Sequence, residues 1–519
     1  MDKNLQTIFQ YHEETKHSQK RYARSLGYMD WANQPNPYRS YSGAQELLLP
    51  LADAHVTPPY HLIFEKDMPS APLLIDSVSQ FLQFSMGLAA IKSDGQNQWA
   101  LRCNASSGNL HPSEAYLILP PLNSINKQTT ISHYAPKNHA LEILKSYDCT
   151  IWETLPEGSF FVALSSIVYR EIWKYGERAF RYTHLDAGHA AQALHISAKT
   201  LGWSHRHINL IDDAALSKLF GFDESLRFNE NEHEIADMLL LITPHKYEAD
   251  VDFTELYNDA KFNSIANAIT SNYQKWPLIA EVEQATFSAP SQREKTQDFA
   301  IKRTPSAEAK DIILKRRSAQ VMDPHNKHIS YESFFTMLES TLESFDGAQN
   351  AVNLFIFVHD VATLKAGLYM FVRNETQLDA LKDAMQKIFL WEKIDTNLYA
   401  LSYEDLREYA KAFSCAQNIA SDGAFSLGML SSFADDLLQN GPHRYKEMYW
   451  ECGAIGQQLY LEATAFGLSA TGIGCFLDDA MHQILGLRTN KFQSLYHFTV
   501  GRGLTDSRLL TLKPYAQRD

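Results

Sequence analysis

The 519-residue chain is too long for one ordinary hydrophobic core, so two or more domains are expected. Hydrophobic residues make up 45% and charged residues 21%, which is typical of a globular protein. A net charge of −14 argues against a nucleic-acid binder or a protein that binds anionic membranes, because both rely on basic patches. No apolar run approaches the roughly 20 residues that span a bilayer. The N-terminus also lacks an apolar signal core, which predicts a cytoplasmic protein.

Cysteine and histidine spacing predicts neither a disulfide framework nor a metal site. The five cysteines are odd in number and scattered, and no two form a CxxC pair. The histidines between positions 184 and 207 lack HExxH spacing and have no cysteine partners at useful spacing. We therefore expect no zinc or other metal.

The first half begins with an irregular, aromatic- and proline-containing segment. It is followed by a predicted helix over 73–91, a turn-rich loop (ALRCNASSGNLHP) and apolar strands at 114–120, 159–168 and 234–243. A long helix is predicted to begin near Asp186, a suitable N-cap residue, and to end at Gly202. Along it, alanines and leucines recur at +4 and +3, which is the pattern of a packed helix face.

The second half follows a polar stretch from about 284 to 310, which is the best linker candidate. We predict helices from 312 onward and near 330–343, a strand at 353–359, and a late strand that runs into the glycine turn of VGRG. A second long helix follows Tyr449. Its buried seam repeats the +4, +3 pattern of the first long helix.

The two long helices align at an offset of 265 residues. At that offset Gly188 meets Gly453 and Gln192 meets Gln457. Both helices are followed by an Asp-Asp pair, at 212–213 and at 478–479, and then by a glycine. These shared features predict an ancient internal duplication.

Three clusters in the second half suit a phosphate or a flat ligand. Arg316, Arg317 and Ser318 offer forked, charge-assisted donors, and Arg502 follows a strand near the end of the chain. In TGIGCFLDD, Gly472 and Gly474 let backbone N–H groups approach a flat ligand closely. The third glycine of a dinucleotide-binding fingerprint is missing. The alternatives are a solvated basic turn, a surface arginine and a plain helix-to-strand turn.

Two clusters in the first half carry groups for hydrogen bonding or proton transfer. Ser106, Ser107 and Asn109 lie in a loop whose polar groups could hydrogen-bond a heterocycle; the alternative is a structural turn. Lys174 and Tyr175 are adjacent, and such a pair can donate or accept a proton when it is desolvated. The alternative is a charge cluster on a helix face.

Taken together, these segments resemble the nitroreductase superfamily, in particular its SagB/ThcOx-type (azoline dehydrogenase-like) branch. The first half carries the resemblance in SSGNLHPSEAYL and KYGERAFRYTHLDAGHAAQALHISAKTLGW, and the second half carries it in KRRSAQVMD, TGIGCFLDD and YHFTVGRG. The resemblance implies an α+β fold with two tandem domains that form a pseudo-dimer within one chain. The expected divisions are an N-terminal arm at 1–70, a first domain at 71–250, a connecting segment at 251–310 and a second domain at 311–519.

The resemblance also implies a site for FMN at the interface of the two domains. Arg316, Arg317, Ser318 and Arg502 would hold the phosphate, and Gly472, Ile473 and Gly474 would lie along the isoalloxazine ring. Ser106, Ser107 and Asn109 would reach across from the first half, although Ala105 replaces the usual proline there. In azoline-oxidising relatives a Lys-Tyr pair is implicated in catalysis, and Lys174–Tyr175 matches it.

Each half lacks what the other keeps. The first half has no Arg-Arg-Ser turn, no GxG turn and no GRG, and the second half has only ESFDGAQNAV where a Ser/Asn loop is expected. The resemblance thus implies one intact FMN site and one decayed site. It implies an oxidoreductase that transfers hydride between flavin and a small-molecule or peptide substrate. A degenerate flavin-binding scaffold and an NAD(P)H-dependent nitro/quinone-type reductase are the alternatives, and a further homodimer is left open.

Overall fold

Two antiparallel sheets follow from the apolar runs in the sequence. The computed structural model describes residues 2–65, 68–229, 232–288, 301–343 and 350–518. The strands are β1 (Tyr41–Ser42), β2 (Gln45–Leu48), β3 (Leu88–Ser93), β4 (Gln98–Arg102), β5 (Ser113–Leu119), β6 (Thr129–Ala135), β7 (Ala140–Tyr147), β8 (Phe160–Ser166), β9 (Ser204–His207), β10 (Ile235–Thr243), β11 (Ile265–Ala266), β12 (Val352–Val358), β13 (Gly367–Phe371), β14 (Glu392–Asp395), β15 (Leu398–Ser402), β16 (Phe425–Ser432), β17 (Ser469–Ile473), β18 (Phe492–Gly501) and β19 (Leu510–Leu512). The strands predicted at 114–120, 159–168, 234–243 and 353–359 are confirmed.

The helices pack on these sheets and between them. They are α1 (Lys3–Glu14), α2 (Ile75–Gln83), α3 (Tyr169–Tyr175), α4 (Ala179–Thr200), α5 (Asp213–Phe220), α6 (Pro277–Ala285), α7 (Ala309–Lys315), α8 (Tyr331–Ser340), α9 (Leu378–Ala384), α10 (Arg407–Phe413), α11 (Ile419–Asp422), α12 (Ala434–Asn440), α13 (Arg444–Ala465) and α14 (Asp478–Leu485). Within the described ranges, no helix combines the length and apolar character needed to cross a membrane.

The same sheet topology is built twice. The first sheet has the strand order β2-β7-β6-β5-β8-β10-β9, and the second has the order β14-β15-β13-β12-β16-β18-β17. In each, a long helix follows the central strand β8 or β16, and then come an edge strand, a short helix and the next inner strand. The outermost strands at the opposite edge come from different places in the chain. β2 comes before the other strands of the first sheet, whereas β14 lies between β13 and β15 in the second. The predicted duplication is confirmed at the level of topology.

The two long helices cross where both carry glycine. A Cβ on Gly188 would lie 2.1 Å from the carbonyl oxygen of Trp450, and a Cβ on Gly453 would lie 2.0 Å from that of Leu185. Both pairs of equivalent residues are separated by the 265-residue offset, so each helix makes the same contact with the other. The contact is therefore the self-complementary interface of a twofold dimer, formed here within one chain.

Two buried ion pairs repeat this symmetry. Arg181 Nη1 on α4 lies 3.0 Å from Asp478 Oδ1 at the start of α14, and Lys446 Nζ on α13 lies 2.5 Å from Asp213 Oδ2 on α5. Arg181 and Lys446 are equivalent at the 265-residue offset, as are Asp213 and Asp478. Each half thus supplies a cation to the other half's short helix, and the Asp-Asp signature of the sequence has a structural reason.

The chain ends also cross between the halves. His12 on α1 contacts two residues of the second half. Its Nε2 lies 3.0 Å from Gln493 Oε1, and its Nδ1 lies 3.2 Å from Tyr445 Oη. In return β19 pairs with β3, and Tyr515 donates to the carbonyl of Pro136 at 2.8 Å. The two halves are bound by exchanged segments as well as by the helix crossing.

Three helix boundaries differ from the sequence prediction. The second long helix, predicted to follow Tyr449, already begins at Arg444. The predicted helix over 73–91 is only α2, because the chain turns at Gly87 and enters β3; a Cβ there would lie 2.5 Å from the Gln83 carbonyl oxygen. The long helix begins at Ala179 instead of near Asp186, so Asp186 lies two turns inside α4. The predicted linker lies between α6 and α7, and its residues 289–300 fall outside the described ranges.

Candidate functional site

The Arg-Arg-Ser turn lies against the first half. Arg316 is buried, and it donates through Nε to the carbonyl of Cys103 at 2.8 Å and through Nη2 to that of Arg102 at 3.0 Å. Its Nη1 is buried and has no hydrogen-bond partner among the described residues. Arg317 is half-buried and donates to the carbonyls of Leu314, Arg316 and Ala89. Arg316 therefore joins the two halves, and its Nη1 remains without a hydrogen-bond partner among the described residues.

Ser318, Gly472 and the chain at Arg502 meet at one end of the second sheet. Tyr460 on α13 links the first two, because its hydroxyl lies 2.8 Å from Ser318 Oγ and accepts the N–H of Gly472 at 2.9 Å. The backbone N–H of Asp323 donates to the carbonyl of Arg502 at 2.8 Å, and the Arg502 side chain is exposed. Three segments that are far apart in sequence are thus brought together, as the resemblance implies.

The two glycines of the GIG turn face tyrosine side chains. A Cβ on Gly472 would lie 1.7 Å from the Tyr496 hydroxyl, and a Cβ on Gly474 would lie 2.1 Å from the Tyr182 ring. Tyr182 comes from α4 of the first half, so the turn at 472–474 also lies at the contact between halves. Ile473 between them is buried. A side chain at either position would displace a tyrosine, so glycine lets these two rings pack directly on the turn.

The loop at 104–111 is held by groups from both halves. Ala105 N–H donates to Gln457 Oε1 of α13 at 3.1 Å. Asp186 accepts the backbone N–H of Ser107 at 2.9 Å and its hydroxyl at 2.8 Å. Ser106 Oγ accepts the N–H of His111, and Asn109 donates to the carbonyl of Ala100. Two hydrogen bonds to the Asp186 carboxylate and one to Gln457 on α13 fix the loop in place.

Lys174 and Tyr175 lie beside this loop. If Gly108 carried a Cβ, it would lie 2.8 Å from Tyr175 Oη and 3.0 Å from Lys174 Nζ. The Tyr175 ring packs on that of Tyr182, with 4.1 Å between ring centroids. Burial raises the pKa of the Tyr175 hydroxyl well above its ordinary value, so the hydroxyl stays protonated at neutral pH and can donate a hydrogen bond. Tyr182 therefore lies between Tyr175 and Gly474 and connects the Lys-Tyr pair to the GIG turn.

Several buried polar groups near these elements have no hydrogen-bond partner among the described residues. They include Arg316 Nη1, His189 Nδ1 and Asn104 Oδ1. His189 lies on α4 with Nε2 3.3 Å from the Tyr496 hydroxyl, and burial, with Arg316 nearby, lowers its pKa to about 3. Since buried polar atoms are nearly always paired, a cluster of unpaired ones is typical of a polar ligand site.

Comparison with known proteins decides the family. The model of the nitroreductase family matches residues 90–229 and 365–502, which together are more than half of the chain. The chain belongs to the nitroreductase family. The two matched ranges fall on the two sheets, so the nitroreductase fold occurs twice in tandem, as the resemblance implies. Nitroreductases are oxidoreductases and typically depend on a flavin.

Three individual proteins are similar to this chain over different shares of its length. A crystal structure from Anabaena variabilis, assigned as a nitroreductase, matches 96% of this chain and 99% of its own, with a TM-score of 0.71 and 20% identity. At that identity the likeness shows the fold alone. A Methanocaldococcus jannaschii protein assigned as a nitroreductase is 25% identical over 143 residues, which are 26% of this chain and 67% of that protein. An NADPH:FMN oxidoreductase from Vibrio harveyi matches 38% of this chain and 69% of its own, at 14% identity and a TM-score of 0.24.

One pair of cysteines is bonded, although the cysteine spacing predicts no disulfide framework. Cys415 and Cys475 are joined by a disulfide, with 5.9 Å between their Cα atoms. They are 60 residues apart, and the end of α10 returns beside the GIG turn, where Leu477 N–H donates to the carbonyl of Phe413 at 2.7 Å. Spacing alone gives no sign of this approach. The disulfide lies next to Gly474 and ties the turn to α10.

Sequence reasoning did not find several polar residues of this nitroreductase site. Asp186 was interpreted as an N-cap, His189 was considered only as a metal ligand, and no role was predicted for Tyr182, Tyr460 or Tyr496. Most lie inside long buried helices, where polar residues are unusual unless they have a partner or a ligand. That pattern, a continuous helix with Asp, His and Gln on its buried faces, was the available signal.

Proposed function

We propose that this nitroreductase is an FMN-dependent oxidoreductase of the SagB/ThcOx (azoline dehydrogenase-like) kind, with one flavin site where its halves meet. The observation that carries the proposal is the Arg316 guanidinium. It is buried between the halves, it is held by two carbonyls of the first half, and it keeps Nη1 unpaired. A buried guanidinium nitrogen that has no hydrogen-bond partner favours an anionic ligand such as a phosphate.

The residues present fit FMN. Arg316, Arg317, Ser318 and Arg502 would hold the phosphate, and the unpaired atoms of His189 and Asn104 offer further polar contacts. Gly472, Ile473 and Gly474 would hold the ring, with the Tyr182 and Tyr496 side chains packed against that turn. Ser106, Ser107 and Asn109 would close the site from the first half, where Asp186 holds the loop.

The equivalent position in the first half does not offer the same groups. At the 265-residue offset, His195 takes the place of Tyr460 and His207 that of Gly472. Arg303 occupies this region as well, stacked on the Phe64 ring at 3.6 Å and paired with Glu462 at 2.7 Å. Arg303 Nη1 also has no hydrogen-bond partner among the described residues, but the guanidinium is paired with the carboxylates of Glu343 and Glu462, unlike that of Arg316, and is therefore poorly suited to a phosphate. We therefore propose one FMN per chain.

The proposed reaction is the dehydrogenation of an azoline-like ring in a small-molecule or peptide substrate. FMN, when bound, supplies the acceptor for the hydride that leaves the substrate. Lys174 accepts the proton that leaves with it, and Tyr175, whose raised pKa keeps its hydroxyl protonated, donates a hydrogen bond to the substrate. Because Gly108 has no side chain, Lys174 and Tyr175 approach the loop closely, and one substrate could contact both the pair and the loop.

Arg316→Ala tests the site directly. We expect the Kd for FMN to rise about 100-fold, because the loss of a charge-assisted hydrogen bond to a phosphate costs roughly 3 kcal/mol. Fluorescence titration of FMN measures the Kd. Lys315→Ala is the matched control, since Lys315 is the preceding residue and its side chain is exposed beside Asp311, so its Kd should be unchanged. A wild-type protein that binds no FMN, or equal effects of the two substitutions, would contradict the proposal.

A further inference from the structure

The Cys415–Cys475 disulfide lies where a reductant can reach it. Cys415 follows α10 and Cys475 follows the GIG turn, and both residues are half-buried. Ala416, the neighbour of the first cysteine, is exposed. Exposed disulfides are in general the labile and regulatory ones, whereas structural disulfides resist reduction. The position of this pair therefore suits a bond that is broken and formed again.

The segment that leaves the GIG turn is held from two sides. Residues 474–477 lie beyond the last residue pair between β17 and β18, so the second sheet no longer holds their backbone. From the first half, Arg178 Nη2 donates to the carbonyl of Gly474 at 3.3 Å. From the end of α10, Gln417 Nε2 donates to the carbonyl of Cys475 at 3.2 Å, beside the disulfide itself. The disulfide thus adds a covalent link to the hydrogen bonds on the α10 side of the turn.

The end of α10 can shift once this bond is broken. Cys415 and Ala416 both have left-handed backbone, with φ of 54° and 59°, a conformation that residues with a Cβ rarely adopt. A small cavity also lies between the α10 segment and the turn, lined by Ala410 and Ser414 from the first and by Ile473 from the second. The strained backbone favours a change of conformation when the link is lost, and the cavity gives the helix end room for it.

We propose that Cys415 and Cys475 form a reversible redox site that reacts with an external dithiol and thereby sets the affinity of the chain for FMN. This inference rests on the proposed function, because the adjacent residues 472–474 are those proposed to hold the flavin ring. The dithiol gives up two electrons and two protons: the Cys415–Cys475 bond breaks, both sulfurs become thiols, and the dithiol closes into a disulfide. The reduced chain keeps the hydrogen bonds of the turn but loses its covalent link, so the turn is less well ordered for a ligand.

FMN titration of the oxidised and the reduced protein tests the site. Dithiothreitol should free two thiols, which alkylation and mass spectrometry assign to Cys415 and Cys475, and reoxidation should close them again. The Kd for FMN should rise about 10-fold on reduction, because a site that must be ordered on binding loses affinity. The double variant Cys415→Ser, Cys475→Ser should show the raised Kd without any reductant. Cys149→Ser is the matched control, since Cys149 is also half-buried but is a free thiol, and it should respond as the wild type does.

A second readout needs no flavin. Leu477 N–H donates to the carbonyl of Phe413 at 2.7 Å across the junction of α10 and the turn. Hydrogen exchange of this amide in the flavin-free protein should be faster after reduction. Equal exchange in both states, an unchanged Kd after reduction, or a response to reductant that persists in the double variant would overturn the redox site. Faster exchange in a chain that binds no FMN in either state would instead overturn the proposed function and leave the reversible bond and its hold on the turn intact.

Discussion

Replacement of Lys174 by alanine is expected to lower the rate of substrate-driven flavin reduction about 10²- to 10⁴-fold, the range contributed by a general acid–base group. FMN should stay bound, because the groups proposed for its phosphate lie in the second half, around Arg316 and Ser318. Anaerobic stopped-flow absorbance with an azoline-containing peptide measures the rate, and equilibrium titration measures FMN binding.

Lys218→Ala serves as the control for Lys174→Ala, since Lys218 is exposed on α5. Tyr175→Phe should also slow the reaction, because it removes the hydroxyl and keeps the ring that packs on Tyr182. If Lys174→Ala reduces flavin at the wild-type rate, the lysine has no catalytic role. Flavin that is reduced by NADPH but not by an azoline substrate would favour the nitro/quinone-type reductase instead.

Gly453→Ala is expected to destabilise the whole chain by about 3 kcal/mol or more, since the added methyl overpacks a rigid contact. Its Cβ would lie 2.0 Å from the Leu185 carbonyl oxygen, and backbone cannot rotate away as a side chain can. The two long helices would have to move apart, which also disturbs the loop and the turns of the proposed site. The midpoint of thermal unfolding measures the loss.

Gly456→Ala is the matched control on the same helix. Its Cβ would meet the His189 ring at 2.6 Å, and a ring can rotate out of the way, so we expect a cost of about 1 kcal/mol or less. Gly188→Ala should behave like Gly453→Ala, because its contact with Trp450 is the symmetric one. If Gly453→Ala unfolds at the wild-type temperature, the crossing of the helices is looser than the structure has it.

Much of the fold could be predicted from the sequence, because it depends on local periodicity. The +4, +3 seams of the long helices and the Gly188–Gly453 alignment identified the duplicated element, and the structure shows that the two helices touch at these glycines. The apolar strands were found because they are buried on both faces and read as continuous runs. The family motifs also brought Ser318, Gly472 and Arg502 into one region, although each alone was better explained as a turn or surface residue.

The rest depended on contacts between distant segments. Asp186 resembled an N-cap, and only the position of the 104–111 loop shows that its carboxylate serves Ser107. Arg316 was predicted to hold a phosphate, and nothing in the sequence indicated that two of its N–H groups donate to carbonyls of the other half. The Cys415–Cys475 disulfide depends on the return of α10 to the GIG turn. Residue spacing in the sequence does not predict contacts between segments that are this far apart in the chain.

The most direct test of one flavin site at the interface of two unequal halves is the FMN content of the purified chain. Absorbance of released FMN against protein concentration gives the stoichiometry, and Arg316→Ala shows which half holds it. We predict one FMN per chain, lost in Arg316→Ala. Two FMN per chain, or one that Arg316→Ala retains at full affinity, would contradict this account.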